Sequence, residues 1–203
     1  MNIGHPDYEG ANQYALGRLE RDLAPALVYH NLAHTRDDVV PAAEYLTSLA
    51  GVDGESLQLL RTAAYYHDIG FVEQYVEHEA IGVRIARKVL PHFGYSPEHI
   101  QTICGIILVT QMPQTPHTLL QEIMADADLD LLGRDDFWVK NQALRTERTA
   151  YGMIARDEEW YSGQLRFLQT HHYFTTYATS LRSARKQQHI EQLTALIEKC
   201  RGV

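Results

Sequence analysis

Ser96-Pro97-Glu98-His99-Ile100-Gln101-Thr102-Ile103-Cys104-Gly105-Ile106-Ile107 is the stretch from which the fold is read. Ser96 is placed to cap a helix, Pro97 takes its first position, and Ile100, Ile103, Cys104 and Ile107 then recur at i, i+3, i+4 and i+7. The device is repeated downstream. Thr115-Pro116 precedes Leu120, Ile123, Met124 and Ala127 at the same spacing, and Asp53 can cap a helix with a Leu60–Ala63–Ala64 stripe that stops near Gly70. Ile81, Ile85 and Val89 stripe a further segment from about 73 to 90, which halts before Pro91. Helices are also expected over about 8–24, 31–50, 136–156, 158–177 and 181–200. No sustained two-residue alternation supports strands. The class is all-α, a single-domain helical bundle of about eight or nine helices spanning 1–203.

Length and composition agree. A chain of 203 residues buries roughly 70% of its unfolded surface, so it needs no crosslink to fold. No apolar run is long enough to span a bilayer. Met1–Gly10 lacks the basic and apolar regions of a secretory leader, so none is expected. Cys104 and Cys200 are too few for a disulfide framework, and these features point to the cytoplasm. A net charge of −8 argues against duplex nucleic acid as a partner. It leaves room for a small phosphorylated substrate, because a divalent cation can invert the local field of an acidic protein.

The composition is also rich in histidine, with eleven residues, and their positions carry the chemistry. At 100° per residue, His67 falls in line with Leu60, Ala63 and Ala64, with Asp68 one step round the same helix. His78 lines up with Ile81, Gly82, Ile85 and Val89. His30 and His34 stand four apart and share a helical face. In Met124-Ala125-Asp126-Ala127-Asp128-Leu129-Asp130, Asp126 lies farthest from the apolar direction, while Asp128 and Asp130 flank it equally. Imidazoles and carboxylates buried together cost several kcal/mol per charge unless compensated. One divalent ion compensates all of them, and a mixed N/O donor set suits Mn, Fe, Co, Ni or Zn, with Mg retained as a candidate. Gly82 either leaves room for a substrate or lets two helices pack closely. His5, His92, His99, His117 and His189 read as surface residues.

Tyr29-His30-Asn31-Leu32-Ala33-His34, then His67-Asp68, then Ala127-Asp128-Leu129 resembles the HD-domain superfamily of metal-dependent phosphohydrolases. The YHNxxH form is also the opening motif of cyclic-nucleotide phosphodiesterases. Tyr29–Thr35, Ala64–Phe71, His78–Gly82 and Asp126–Phe137 are similar to bacterial stand-alone members, and Trp160-x3-Gln164-x2-Phe167 and His172-Tyr173-Phe174-Thr175 extend the likeness to about 186. The resemblance implies an HD/phosphodiesterase-like bundle with a motif core over about 29–137, completed by C-terminal helices over about 138–200. It implies His34, His67, Asp68 and Asp128 as metal ligands, which resolves the tie between Asp128 and Asp130. It also implies His30 as general acid for the leaving oxygen, with Asp68 able to orient the attacking water.

Binuclear members add a histidine after the His-Asp pair and often another pair before the last Asp. His78 fits the first and, with Asp126, is the candidate for a second metal or the pocket. Where the further pair would lie the chain reads Leu108-Val109-Thr110-Gln111, which favours one tightly held ion. Arg36, Arg134, Arg182, His172 and Lys186 are candidates for substrate contact. The function implied is hydrolysis of a small phosphomonoester, nucleotide or phosphodiester. The alternatives are a non-catalytic metal- or nucleotide-binding regulatory module, an HD-type di-iron oxygenase and a purely structural bundle.

Overall fold

Asp7, whose carboxylate accepts from the Gly10 N–H at 2.8 Å, opens the first helix of a computed structural model that describes residues 5–201. Residues 1–4 of the polar Met1–Gly10 stretch lie outside the described residues. Nine α-helices follow in order, with no strand among the described residues: α1 (Tyr8–Asp22), α2 (Val40–Leu49), α3 (Gly54–Tyr66), α4 (His78–Val89), α5 (Pro97–Leu108), α6 (Leu119–Asp128), α7 (Phe137–Ala150), α8 (Asp157–Thr170) and α9 (Thr176–Arg201). The all-α class is as expected. The Ser96 cap is present as a full capping box, with His99 as the reciprocal partner.

The boundaries differ where tertiary contacts override local pattern. The expected 31–50 helix is present over 32–49, but its His34–Val39 segment is π-helical and leads into α2. His30 lies in a bend before it, so the shared helical face of His30 and His34 is corrected. Asn31 sets that start by accepting from the His34 N–H at 3.0 Å. The expected 73–90 helix begins only at His78. Ile69–Val72 forms a 3-10 turn, and Glu77 adopts a left-handed φ of 60° before α4. The 158–177 and 181–200 pair meets instead across an extended segment, where Thr175 Oγ1 accepts from the Ala178 N–H at 3.1 Å.

The described residues fall into two compact units. The N-terminal unit (residues up to 25 and 30–128) packs α3 and α4 on α5, and α2 on α6, around a core including Leu60, Ala63, Ile103, Ile107 and Ile123. Burying such a branched side chain is worth about 1.5–3 kcal/mol. The C-terminal unit (residues 26–29 and 129 onward) packs α8 on α9 around Leu132, Phe137, Leu168 and Leu193. Its Tyr29 N–H donates to the fully buried Glu147 carboxylate at 2.8 Å. His189 belongs to this core: only 3% exposed, it stacks on Phe137 at 4.4 Å, and its Nδ1 lies 3.0 Å from the Leu132 carbonyl. The surface reading of His189 is therefore corrected. An imidazole hydrogen-bonded to a carbonyl and stacked on a ring serves a core as well as an aliphatic side chain.

No helix among the described residues is long and apolar enough to cross a membrane.

Candidate metal centre

Two histidines and one aspartate meet inside the N-terminal unit. His34, His67 and Asp68 are buried, and one ligand-type atom from each lies within 4.8 Å of the others. Three local devices bring them there. Asn31 caps the turn from which His34 projects. His67 ends α3. Asp68 has already left the helix at φ −101°, ψ 4°, so the expectation that it continues one step round α3 is corrected. On an unbroken helix, neighbouring side chains point 100° apart; the break lets adjacent residues serve one site.

Glycines permit the close approach of α4 to this turn. A Cβ at Gly70 would overlap the His78 carbonyl oxygen, and one at Gly82 would lie 3.3 Å from the Tyr66 carbonyl and 3.5 Å from that of His67. Gly82 is thus a close-packing residue under the end of α3, the second of its two sequence readings.

The donor atoms converge without satisfying each other. His67 Nε2 lies 3.2 Å from Asp68 Oδ2, and His34 Nε2 lies 3.7 Å from the same oxygen. Asp128 Oδ1 stands 3.6 Å from each imidazole Nε2. Both His67 Nε2 and Asp68 Oδ2 are buried and make no hydrogen bond among the described residues. His67 Nδ1 lies 2.7 Å from the Ala64 carbonyl oxygen. A carbonyl only accepts, so Nδ1 carries a proton, and in the neutral ring the lone pair sits on the inward Nε2. Buried orphans in native structures call for an explanation, and a cation shared among these atoms provides it. The residues present therefore fit a divalent ion.

The electrostatics point the same way. Burial pushes the His34 imidazole down, but Asp128, Asp38 and Asp68 outweigh it and raise its pKa to about 9. Burial likewise lowers His67, and Asp68 more than reverses this. Burial would raise the Asp68 carboxyl, yet His67 beside it holds it well below the ordinary carboxylate range. Such a site is poised to exchange protons for a metal.

His30 and His78 border the triad. His30 stacks on Phe71 at 4.5 Å and meets His34 edge-on at 5.8 Å, while His78 stacks on Phe71 at 3.8 Å. His78 Nε2 lies 3.5 Å from Asp68 Oδ1, the oxygen farther from the triad's shared face, and 3.6 Å from Glu79 Oε1. Phe71, Tyr75 and the buried Glu79 are additions that sequence periodicity missed, although Phe71 and Glu79 sit within quoted motifs.

Other expected residues have different settings. Asp126 is fully buried, not turned away from the core, because α6 is enclosed by helices on more than one side. Arg36 pairs bidentately with Asp37 at 2.7 and 2.8 Å, and Arg134 with Asp136 at 2.9 and 2.7 Å. Arg182 makes the same fork on Asp130 at 2.6 and 2.9 Å. Lys186 donates to the His171 carbonyl at 2.6 Å. His172 is exposed, its ring 4.9 Å from that of Phe174.

Residues 39–129 match the family model described as the HD domain, a stretch that includes His67, Asp68 and Asp128 and begins after His34. Searches of the curated proteins and of the solved structures each find no match. The buried histidine–aspartate cluster lies inside that stretch and just ahead of it. Residues 39–129 are thus similar to the HD domain, and the metal-type triad at that stretch supports a metal-dependent phosphohydrolase.

Proposed function

We propose that the protein hydrolyses a small phosphomonoester, nucleotide or phosphodiester, with His34, His67, Asp68 and Asp128 holding one divalent ion. The observation that carries the reading is the pair of buried, unbonded atoms, His67 Nε2 and Asp68 Oδ2, facing a common point with the His34 and Asp128 donors. A bound ion supplies Lewis-acid activation of water and of a phosphoryl oxygen. Imidazole donors favour Mn, Co or Ni over Mg, which prefers oxygen ligands. Where a second, weaker ion binds, His78 and the Asp68 Oδ1 it faces would hold it; Asp126 is the other acid considered there.

The chain's own groups supply the rest. His30, half-buried and braced by Phe71, acts as the proton donor to the leaving oxygen. Asp68 orients the water proton in addition to its role as a ligand. Arg36 and Arg134 are already engaged by neighbouring carboxylates, and Lys186 by the His171 carbonyl, so the metal carries most of the phosphate charge in this reading. We further read 1–203 as one functional domain, since Asp128 closes one unit and Leu129 opens the next with no linker between them. A cytoplasmic location is supported by the sparse cysteines.

The test gives metal-loaded protein a panel of nucleotides, cyclic nucleotides, sugar phosphates and bis-nitrophenyl phosphate, with Asp68→Ala as blank. Phosphate or nitrophenol release above the blank is expected. Release no faster than the blank across the panel and all metals overturns hydrolysis, and tight nucleotide binding without turnover would put a regulatory module in its place.

A further inference from the structure

Within the C-terminal unit lies a cavity of about 400 Å³, walled by rings from Tyr29, Phe137, Trp160 and Phe167 and carrying two buried amides, Asn141 and Gln164. The amides form a one-way relay. Indole Nε1 can only donate, and it does so to Asn141 Oδ1 at 2.9 Å. That fixes the Asn141 amide, whose Nδ2 donates to Gln164 Oε1 at 2.5 Å. The relay ends on Gln164 Nε2, which donates to no acceptor among the described residues, although Gln164 is only 9% exposed. Gln164 lines the cavity, so its open N–H is a donor to whatever the cavity holds, and an acceptor there would complete the relay.

Gly163 is a second, independent sign. It sits inside α8, where glycine weakens a helix relative to alanine, yet a Cβ there would meet nothing within 4 Å and its φ is not positive. Neither packing nor backbone conformation demands this glycine, and it too lines the cavity. Its effect is to keep space open in the wall that Gln164 also lines.

We propose that this cavity binds a flat ring compound bearing a hydrogen-bond acceptor, a ring nitrogen or carbonyl oxygen, which accepts from Gln164 Nε2. The aromatic walls take the ring faces, and the relay selects acceptor over donor because Trp160 sets its polarity. Arg145 and Arg148, at 5.9 and 6.0 Å from the Trp160 ring, brace the indole.

Quinoline and naphthalene test this, since they share a shape and differ by one ring nitrogen. Ligand-observed saturation-transfer NMR on the full chain should show quinoline binding at least about tenfold tighter than naphthalene, as expected for one buried hydrogen bond. Gln164→Leu should erase the difference. Gly163→Leu should abolish binding of both while leaving the melting temperature unchanged or higher. The wild-type pair and Gly163→Leu suffice if Gln164→Leu does not fold. Equal affinity for the two probes, binding of neither (a cavity that holds water only), or undiminished quinoline binding to Gly163→Leu would each overturn the proposal.

Discussion

Asp68 and Asp130 are buried to nearly the same degree, 4% and 5% exposed, but one is neutralised within its own unit and the other is not. In the C-terminal unit, Asp130 takes a two-pronged guanidinium from Arg182. In the N-terminal unit, Asp68 is ringed by imidazoles and keeps one oxygen without a hydrogen bond. A carboxylate met by a fixed cation is finished as a structural element. One met by nitrogen donors that share its orientation is only half of an interaction, and its other half comes from solution. Burial alone does not separate the two; the geometry of the partners does.

The largest break in that contrast should come from Asp68→Ala or His67→Ala. Elemental analysis should find the metal gone from either, with hydrolysis reduced by more than the 10–100-fold typical of losing a group that merely supports a ligand. His99→Ala should retain its metal. Full metal in the Asp68→Ala protein would remove Asp68 from the ligand set.

His30→Ala should sharpen the contrast within the site. Metal content should be unchanged and turnover lower by about 10²–10⁴ for poor leaving groups, with the deficit shrinking for nitrophenolate esters. An equal deficit for both kinds of ester would argue against proton donation.

On the structural side, Arg182→Ala leaves Asp130 buried without its guanidinium. Since Arg182 is itself 29% exposed, the expected destabilisation is about 2 kcal/mol in urea unfolding, below the range for fully buried pairs, with metal stoichiometry intact. Loss of metal along with stability would blur the distinction drawn here.

The smallest effect concerns pH. His34 has a folded pKa of about 9, above its ordinary 6.5, so its contribution to stability in metal-free protein is complete below pH 6.5 and lost as pH rises through 9. Asp68, lowered by His67 against the effect of burial, contributes above about its ordinary 3.8 and ceases to as pH falls. Melting in chelator should therefore decline by about 5 °C from pH 6.5 to 9. Saturating Mn should abolish that decline, because the ion takes the place of the ligand protons. A flat profile in chelator would contradict the coupling.

Much of this was readable from the chain because caps and periodicity are local. Ser96-Pro97 and the isoleucine stripe of α5 gave its start and its buried face, and the recurrence of such stripes gave the class. His67 stood out as an imidazole on an apolar stripe, whereas His34 and Asp68 were singled out as ligands by the resemblance of their motifs to the HD-domain superfamily. What escaped depended on contacts between distant segments. A helical wheel assumes one buried direction, and Asp126 lies on a helix packed by several neighbours. It also assumes an unbroken helix, whereas α3 stops at Tyr66 and Asp68 stands in the turn after it. His189 was lost to the same limit, its carbonyl and ring partners being more than fifty residues away.

The π-helical turn at His34–Val39 has a genetic consequence. A π turn holds about one residue more than an α turn, so deleting a single residue between Thr35 and Asp38 would let residues 32–49 wind as one regular α-helix. The shortened protein should be no less helical. Yet everything upstream of the deletion would be rotated by roughly 100° against α2, carrying the His34 side chain away from His67. Single-residue deletions in this segment should therefore survive expression screens and fail every screen for metal.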